Sequence, residues 1–393
     1  LWQLIIPKLR VPMADFRGVG VCSPPTVVGD RVYLFSNRGE VLCLDVHGQA
    51  DGNDGPYRDE GRYMVPQGAE PMEVGKLDAD ILWRCDALGK VRMRLHDAAH
   101  CSVMVHRGFV YSGTCNGVDE THFKLPRPQA PSLVAVEQGT GRLVATDGAQ
   151  IGPQLIHCMW SSPSLGEVAG RELMFFGGGD GVCYAFEPLK AAPPAGERAV
   201  LKVVWRFHCD PAGRKDRPLD FQDNRKEGPS LISGMPVFYR GRVYVTAGGD
   251  VWHGKPESWL KCIDASGSGD ITTTGERWSQ PLHRHCMATP AIADGVVYIT
   301  DTSGRIHCFD AVTGRPVWVH QTGHRIWGSP LVADGKVYVG TMQRHLVVLA
   351  ADRRKKVLAD IRLDSPVATT PVAANGVVYV AAMRTLYALT RTK

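Results

Sequence analysis

Of the five His-Cys dipeptides in a chain that has 14 histidines and 11 cysteines in 393 residues, three, His100-Cys101, His157-Cys158 and His285-Cys286, precede predicted inner strands. Imidazole and thiolate are donors that transition metals accept, the more so with a carboxylate in reach. Three polar segments offer carboxylates and further imidazoles: Cys115-Asn116-Gly117-Val118-Asp119-Glu120-Thr121-His122, Gly177-Gly178-Gly179-Asp180-Gly181 and Gly248-Gly249-Asp250-Val251-Trp252-His253. The candidate metal ligands are therefore His100, His157, Cys158, His285, Cys286, His122 and His253. The same residues also suit a polar cofactor held between indole rings, for which Trp160 and Trp327 are placed.

Several features limit this chemistry. Adjacent residues on a strand point to opposite faces, so only one member of each His-Cys pair can look into a shared channel. Gly177-Gly178-Gly179 lacks the helix that a phosphate cradle requires. No Cys-x-x-Cys pair occurs, which removes attached c-type haem and the usual zinc and dithiol motifs. Cys43, Cys262 and Cys308 each precede a strand-ending Asp by two, where other units carry Ala135 or Ala388, and are expected to fill core.

The elements that must position these groups come from a repeat. The copies Ala288 to Trp318, Gly328 to Leu358 and Thr369 to Leu389 place Tyr298, Tyr338 and Tyr379 at intervals of 40 and 41 residues. A period near forty made of short strands separated by Gly and Asn/Asp turns is that of a β-propeller blade. Seven inner strands are predicted, starting at Ser23-Pro24-Pro25, Cys101-Ser102, Ser162-Pro163, Met235-Pro236, Thr289-Pro290, Ser329-Pro330 and Thr370-Pro371. The expected fold is all-β: a single domain over 1–393, a seven-bladed propeller of four-stranded antiparallel sheets, with eight blades as the alternative. The last unit has three strands, and Leu1-Trp2-Gln3-Leu4-Ile5 resembles the outer strands at Leu82-Trp83-Arg84 and Val204-Trp205-Arg206, so the opening segment is expected to complete the last blade and close the ring. Insertions at 46–80 and 210–231 interrupt the repeat. The first reads as a solvated loop; the second, dense in charge from Arg214 to Glu227, is expected to flank the funnel mouth. Inner-strand starts and the loops between second and third strands open on one face of a propeller, so the candidate residues should converge there.

Cys308-Phe309-Asp310-Ala311-Val312-Thr313-Gly314-Arg315-Pro316-Val317-Trp318 resembles the Ala-x-Asp-x-x-Thr-Gly-x-x-x-Trp repeat of PQQ-type, quinoprotein-like propellers, with weaker copies at Ala135 to Gly141 and Cys262 to Gly267. That family includes PQQ-dependent dehydrogenases and cofactor-free scaffolds such as BamB-like propellers. The resemblance implies either a non-catalytic ligand-binding or protein-scaffolding module, or a dehydrogenase holding PQQ and a divalent cation over the axis. In the second case Asp119, Asp180 and Asp250 would serve as cation ligand or base, with Trp160 or Trp327 stacked on the quinone. No vicinal Cys-Cys pair like that of the alcohol dehydrogenases is present. A metal- or redox-handling subunit using the His-Cys sites is the remaining alternative.

The formal charge of +5, with both signs interspersed, argues against a nucleic-acid partner and leaves a protein or a small molecule at the funnel. Apolar runs are strand-length, so no transmembrane segment is expected. The resemblance implies an exported or periplasmic protein, and a chain beginning at Leu1 fits removal of a signal peptide or lipid anchor, or a fragment. Eleven cysteines without a disulfide pattern suit the cytoplasm as the alternative.

Overall fold

The computed structural model describes residues 1–9, 20–97, 100–213, 217–221, 228–253 and 255–390. These form seven small sheets in sequence order, the blades of a propeller. Blade one pairs Thr26–Val28, Arg31–Phe35, Glu40–Asp45 and Ile81–Asp86 in that order, and blade five shows the repeat most plainly with Ala291–Ala293, Val296–Thr300, Arg305–Asp310 and Pro316–Gln321. The hairpin between first and second strands is made by Asp294-Gly295, Asp334-Gly335 and Asn375-Gly376, whose φ angles are all positive (48° and 74°, 50° and 67°, 52° and 77°). That backbone matches the twist of the flanking strands, and Gly, Asn and Asp adopt it at least cost.

The Ser/Thr-Pro starts have a physical role that their periodicity alone does not reveal. Around the axis, the hydroxyl of one blade accepts from the backbone of the blade before it: Ser162 from Ser102 N at 2.8 Å, Thr289 from Met235 N at 2.9 Å, Ser329 from Thr289 N at 2.9 Å and Thr370 from Ser329 N at 3.0 Å. Proline stiffens the strand start beside each hydroxyl. Farther out, tryptophan joins the blades. The Nε1 groups of Trp83, Trp205, Trp278 and Trp318 donate to the carbonyls of Gln138, Ala265, Ala311 and Asp352 in the next blade, at 2.9 to 3.1 Å. Gly314 is required in this arrangement twice over: its φ is +71°, and a Cβ there would lie 2.6 Å from the Trp278 ring.

Three expectations need correction. The sheets are not uniformly four-stranded. Blades two and three each gain a fifth strand, Ala199–Leu201 and Gly269–Asp270, laid parallel to their outermost strands, and blade seven has three strands. Nor does the opening segment pair with blade seven among the described residues. Gln3 bridges Asp78, and the Trp2 indole donates to Val46 O at 2.8 Å, so this segment lies on blade one. Trp2 packs on the Gly48 turn as Trp83 packs on Gly141 and Trp278 on Gly314, while Leu4 and Ile6 pack with Tyr63, Met64 and Ile81. These contacts fix the segment on blade one, and Val372 (57% exposed), Tyr379 (37%) and Leu386 (67%) of blade seven stay open to solvent. Trp2→Ala is expected to cost about 1–2 kcal/mol in urea unfolding, well below a fully buried tryptophan, because the ring is only half-buried.

The third correction concerns the insertion at 46–80, which is a packed cap and not a solvated loop. Its short helix Glu60–Tyr63 buries Tyr63 against Glu40, with a phenol-to-carboxylate bond of 2.8 Å, and Glu60 accepts from Ile81 N at 3.3 Å. In the insertion at 210–231, residues 214–216 and 222–227 lie outside the described residues, so the expectation built on Arg214, Lys215, Asp216, Asp223, Arg225, Lys226 and Glu227 falls there.

Candidate functional site

Loops from blades two, three and four, with the stretch leading into blade two, converge on one buried group of imidazoles. His157 precedes the first strand of blade three, His122 and His253 lie in the second-to-third-strand loops of blades two and four, and His96 follows the short helix Ala87–Val91. The His157 ring centroid lies 4.6 Å from that of His96, 5.0 Å from His122 and 5.5 Å from His253. His96 and His157 are buried, at 0% and 2% exposure. Nδ1 of His157 sits 2.5 Å from Asp250 Oδ2, and Nδ1 of His96 sits 2.8 Å from Val118 O. The Nε2 atoms of the two rings face each other at 2.8 Å, and Asp97 Oδ2 lies 3.6 Å from both.

Burial sets the electrostatics. It drives the His96 pKa down to about 3, with the His157 charge adding to the effect. It also raises the Asp97 carboxyl and lowers His100. At Asp250 burial acts upward as well, but the bond to His157 and its charge outweigh it and hold the carboxyl below its ordinary value.

Aromatic rings frame the cluster. Trp160 lies 4.7 Å from the His157 ring, Trp252 5.9 Å from it, and Trp252 meets Trp327 edge-on at 6.2 Å. Trp252 is 51% exposed and marks the mouth. The Nε1 atoms of Trp160 and Trp327 and Oδ1 of Asp97 are buried with no hydrogen-bond partner among the described residues.

Of the residues anticipated from sequence, His157, His122, His253, Asp250 and Trp160 come together here. Trp327 joins through Trp252, and His100 stands at the edge, 6.4 Å from Trp160 with Nε2 bonded to Asp97 O at 2.6 Å. The others do not join. Cys158 turns away from the imidazole cluster, and its thiol donates to His96 O and Cys115 O, each at 3.3 Å. It lies in core with Cys101 and Cys115, whose sulfurs are 3.4 Å apart. Cys286 is buried against Thr300 O at 3.1 Å, and His285 beside it is outside the cluster. Asp119 is taken up by Thr121 in its own loop, and Asp180 by the Tyr184 hydroxyl at 2.7 Å. His96 and Asp97 were missed because they belong to no repeat position; the signal available was a His-Asp pair in the irregular stretch just before Cys101.

PQQ with a hard divalent cation does not fit these residues. Such a cation takes six or more oxygen ligands, whereas Asp119, Asp180 and Asp250 are committed to three separate partners.

The comparisons with known proteins agree with the architecture. The sequence model of the family described as "Outer membrane protein assembly factor BamB" matches residues 256–357. The crystal structure of BamB from Moraxella catarrhalis superposes with a TM-score of 0.55 at 13% identity, covering 93% of this chain and 81% of that one. The chain is a β-propeller whose fold is like that of BamB, with sequence likeness to the family over residues 256–357. Among curated relatives, this propeller is 31% identical over 91 residues to the assembly factor BamB of Nitrosomonas eutropha, covering 23% of this chain and 22% of that protein. It is 28% identical over 108 residues to the quinohemoprotein alcohol dehydrogenase of Comamonas testosteroni, covering 24% and 15% respectively. The matched stretches therefore span less than a quarter of either relative. Among the described residues, no helix is long and apolar enough to cross a membrane.

Proposed function

We propose that this propeller is a non-catalytic binding module of an exported protein assembly, and that it binds at the funnel mouth ringed by Trp160, Trp252 and Trp327. The observation that carries this reading is the convergence there of side chains from separate blades: His122 from blade two, His157 and Trp160 at the start of blade three, Asp250 and Trp252 from blade four, and Trp327 at the start of blade six. Buried charge, and indole N–H groups without a hydrogen-bond partner among the described residues, are the features of a recognition site. The likeness to an outer-membrane protein assembly factor supports both the exported location and a protein partner.

A dehydrogenase reading has less in its favour. The stretch matched to the quinohemoprotein dehydrogenase covers 15% of that protein, and Asp119, Asp180 and Asp250 are not gathered around one cation.

A photo-reactive phenylalanine analogue in place of Trp252 is expected to cross-link a partner protein in an exporting host. The same analogue at Val200, 68% exposed beyond the outer strand of blade two, is expected not to. Equal cross-linking from both positions, or alcohol-dependent dye reduction after addition of PQQ and calcium, would overturn the reading.

A further inference from the structure

We propose that the imidazole cluster is a transition-metal site in which His96 Nε2, His157 Nε2 and a ring nitrogen of His122 are the nitrogen ligands and Asp97 is the oxygen ligand. This rests on the funnel being a binding face and names a ligand for it. The argument begins with where the protons are. The carbonyl of Val118, 2.8 Å from His96 Nδ1, can only accept, so Nδ1 carries the hydrogen and Nε2 of the neutral ring holds a lone pair. The Asp250 carboxylate, 2.5 Å from His157 Nδ1, fixes the same tautomer in the second ring. With both rings neutral, two lone pairs face each other across 2.8 Å between buried rings and repel until a cation, either a proton shared by the rings or a metal ion, lies between or beside them.

The surrounding geometry supplies the rest of a coordination shell. Donors of a tetrahedral zinc-like ion with metal–nitrogen distances near 2.0–2.1 Å lie about 3.3 Å from one another. Here Asp97 Oδ2 stands 3.6 Å from each Nε2, and the ring nitrogens of His96, His122 and His157 all fall within 4.8 Å of one another. Shifts of less than roughly an ångström bring four donors onto one ion. Asp97 Oδ1 is buried with no hydrogen-bond partner among the described residues. Both Asp97 and His122 hold left-handed backbone, with φ of 57° and 63°, a strain that non-glycine residues keep where the site requires it.

The outer contacts are those of metal-bound histidine. Each Nδ1–H is anchored, one on a backbone carbonyl and one on a carboxylate, which turns Nε2 toward the ion and makes it a better donor. Three imidazoles and one carboxylate select a borderline divalent ion such as zinc, cobalt, nickel or copper over calcium or magnesium, which prefer oxygen alone. The nearby thiols take no part, since Cys158 is turned to His96 O and Cys115 O. Bound there, the ion ties the loop of blade two and the start of blade three to the stretch leading into blade two.

The test titrates chelator-treated, full-length protein with cobalt(II), read by its visible d–d absorption, and with zinc(II), read by calorimetry. One equivalent of each is expected, with the intense cobalt spectrum of a four-coordinate site. His157→Gln and His122→Gln are expected to abolish that spectrum. Asp250→Asn should weaken binding by about 10- to 100-fold as an outer contact, and His285→Gln, outside the cluster, should change nothing. Thermal melts of each variant separate lost binding from lost fold. Absence of stoichiometric uptake, or uptake unchanged in both ligand variants, would overturn the proposal. So would ¹⁵N imidazole spectra showing only a proton shared between His96 and His157 after metal is added. Cross-linking from position 252 that persists in a protein taking up no metal would remove the ion and leave the binding face. One equivalent of metal without cross-linking would do the reverse.

Discussion

Asp210→Ala is expected to destabilise the protein by about 3–5 kcal/mol in urea unfolding, the largest effect of any single replacement near the funnel. Asp210 pairs with the Lys255 ammonium, and both side chains are only 7% exposed. It also accepts from the Ser230 hydroxyl at 2.7 Å. Removing the carboxylate strands a buried ammonium, with the Trp259 ring 5.6 Å away. Charges taken out of water are costly when one partner is deleted, and much less so when both are replaced by apolar groups of similar volume. The double variant Asp210→Leu with Lys255→Met is therefore expected within about 1 kcal/mol of the parent. A single-variant cost below that figure would mean the pair is hydrated. The consequence reaches the site, because Lys255 belongs to the loop that carries Asp250 and Trp252, so the pair holds the funnel mouth in shape.

Trp205→Ala is expected to cost about 3–5 kcal/mol, the range for emptying a fully buried aromatic position. Trp205 is 0% exposed, lies 5.7 Å from the Phe175 ring and donates to Ala265 O across the boundary between blades three and four. Trp205→Phe keeps much of the buried area and loses the hydrogen bond, so an intermediate cost of about 1–2 kcal/mol is expected. The denaturation midpoints of the two variants measure the difference; equal midpoints would assign the whole effect to the N–H group. This boundary matters for function because His157 comes from blade three and Asp250 from blade four. Their short bond depends on those blades staying in register.

The repeat was legible because a blade is a local object. Its period, its Asp-Gly hairpins and its Thr-Gly turns are short-range, and Gly295 or Gly314 states its backbone requirement within a few residues. Trp2 was legible in kind and misplaced in partner. Its likeness to Trp83 and Trp205 identified a packed tryptophan, and the structure seats it on the Gly48 turn, yet without pairing its segment to blade seven among the described residues. Strand pairing across a chain's whole length is a long-range event, and the apolar contacts of Leu4 and Ile6 with the first insertion decided it. That insertion looked polar because its Asp, Asn and Gly residues outnumber Tyr63 and Met64, the two side chains that pack it down.

The sequence by itself determined the toroid, the number of blades and the face on which the polar groups gather, since all three follow from a pattern repeated every forty residues or so. Only the tertiary structure decided which histidines meet. His96 and Asp97 carry no repeat signature, and Asp250 stands 93 residues from His157, so their juxtaposition exists only when three blades are assembled at a fixed angle around the axis. The anchors of the two rings were decided there as well: the Val118 carbonyl and the Asp250 carboxylate arrive beside the Nδ1 atoms through folding alone.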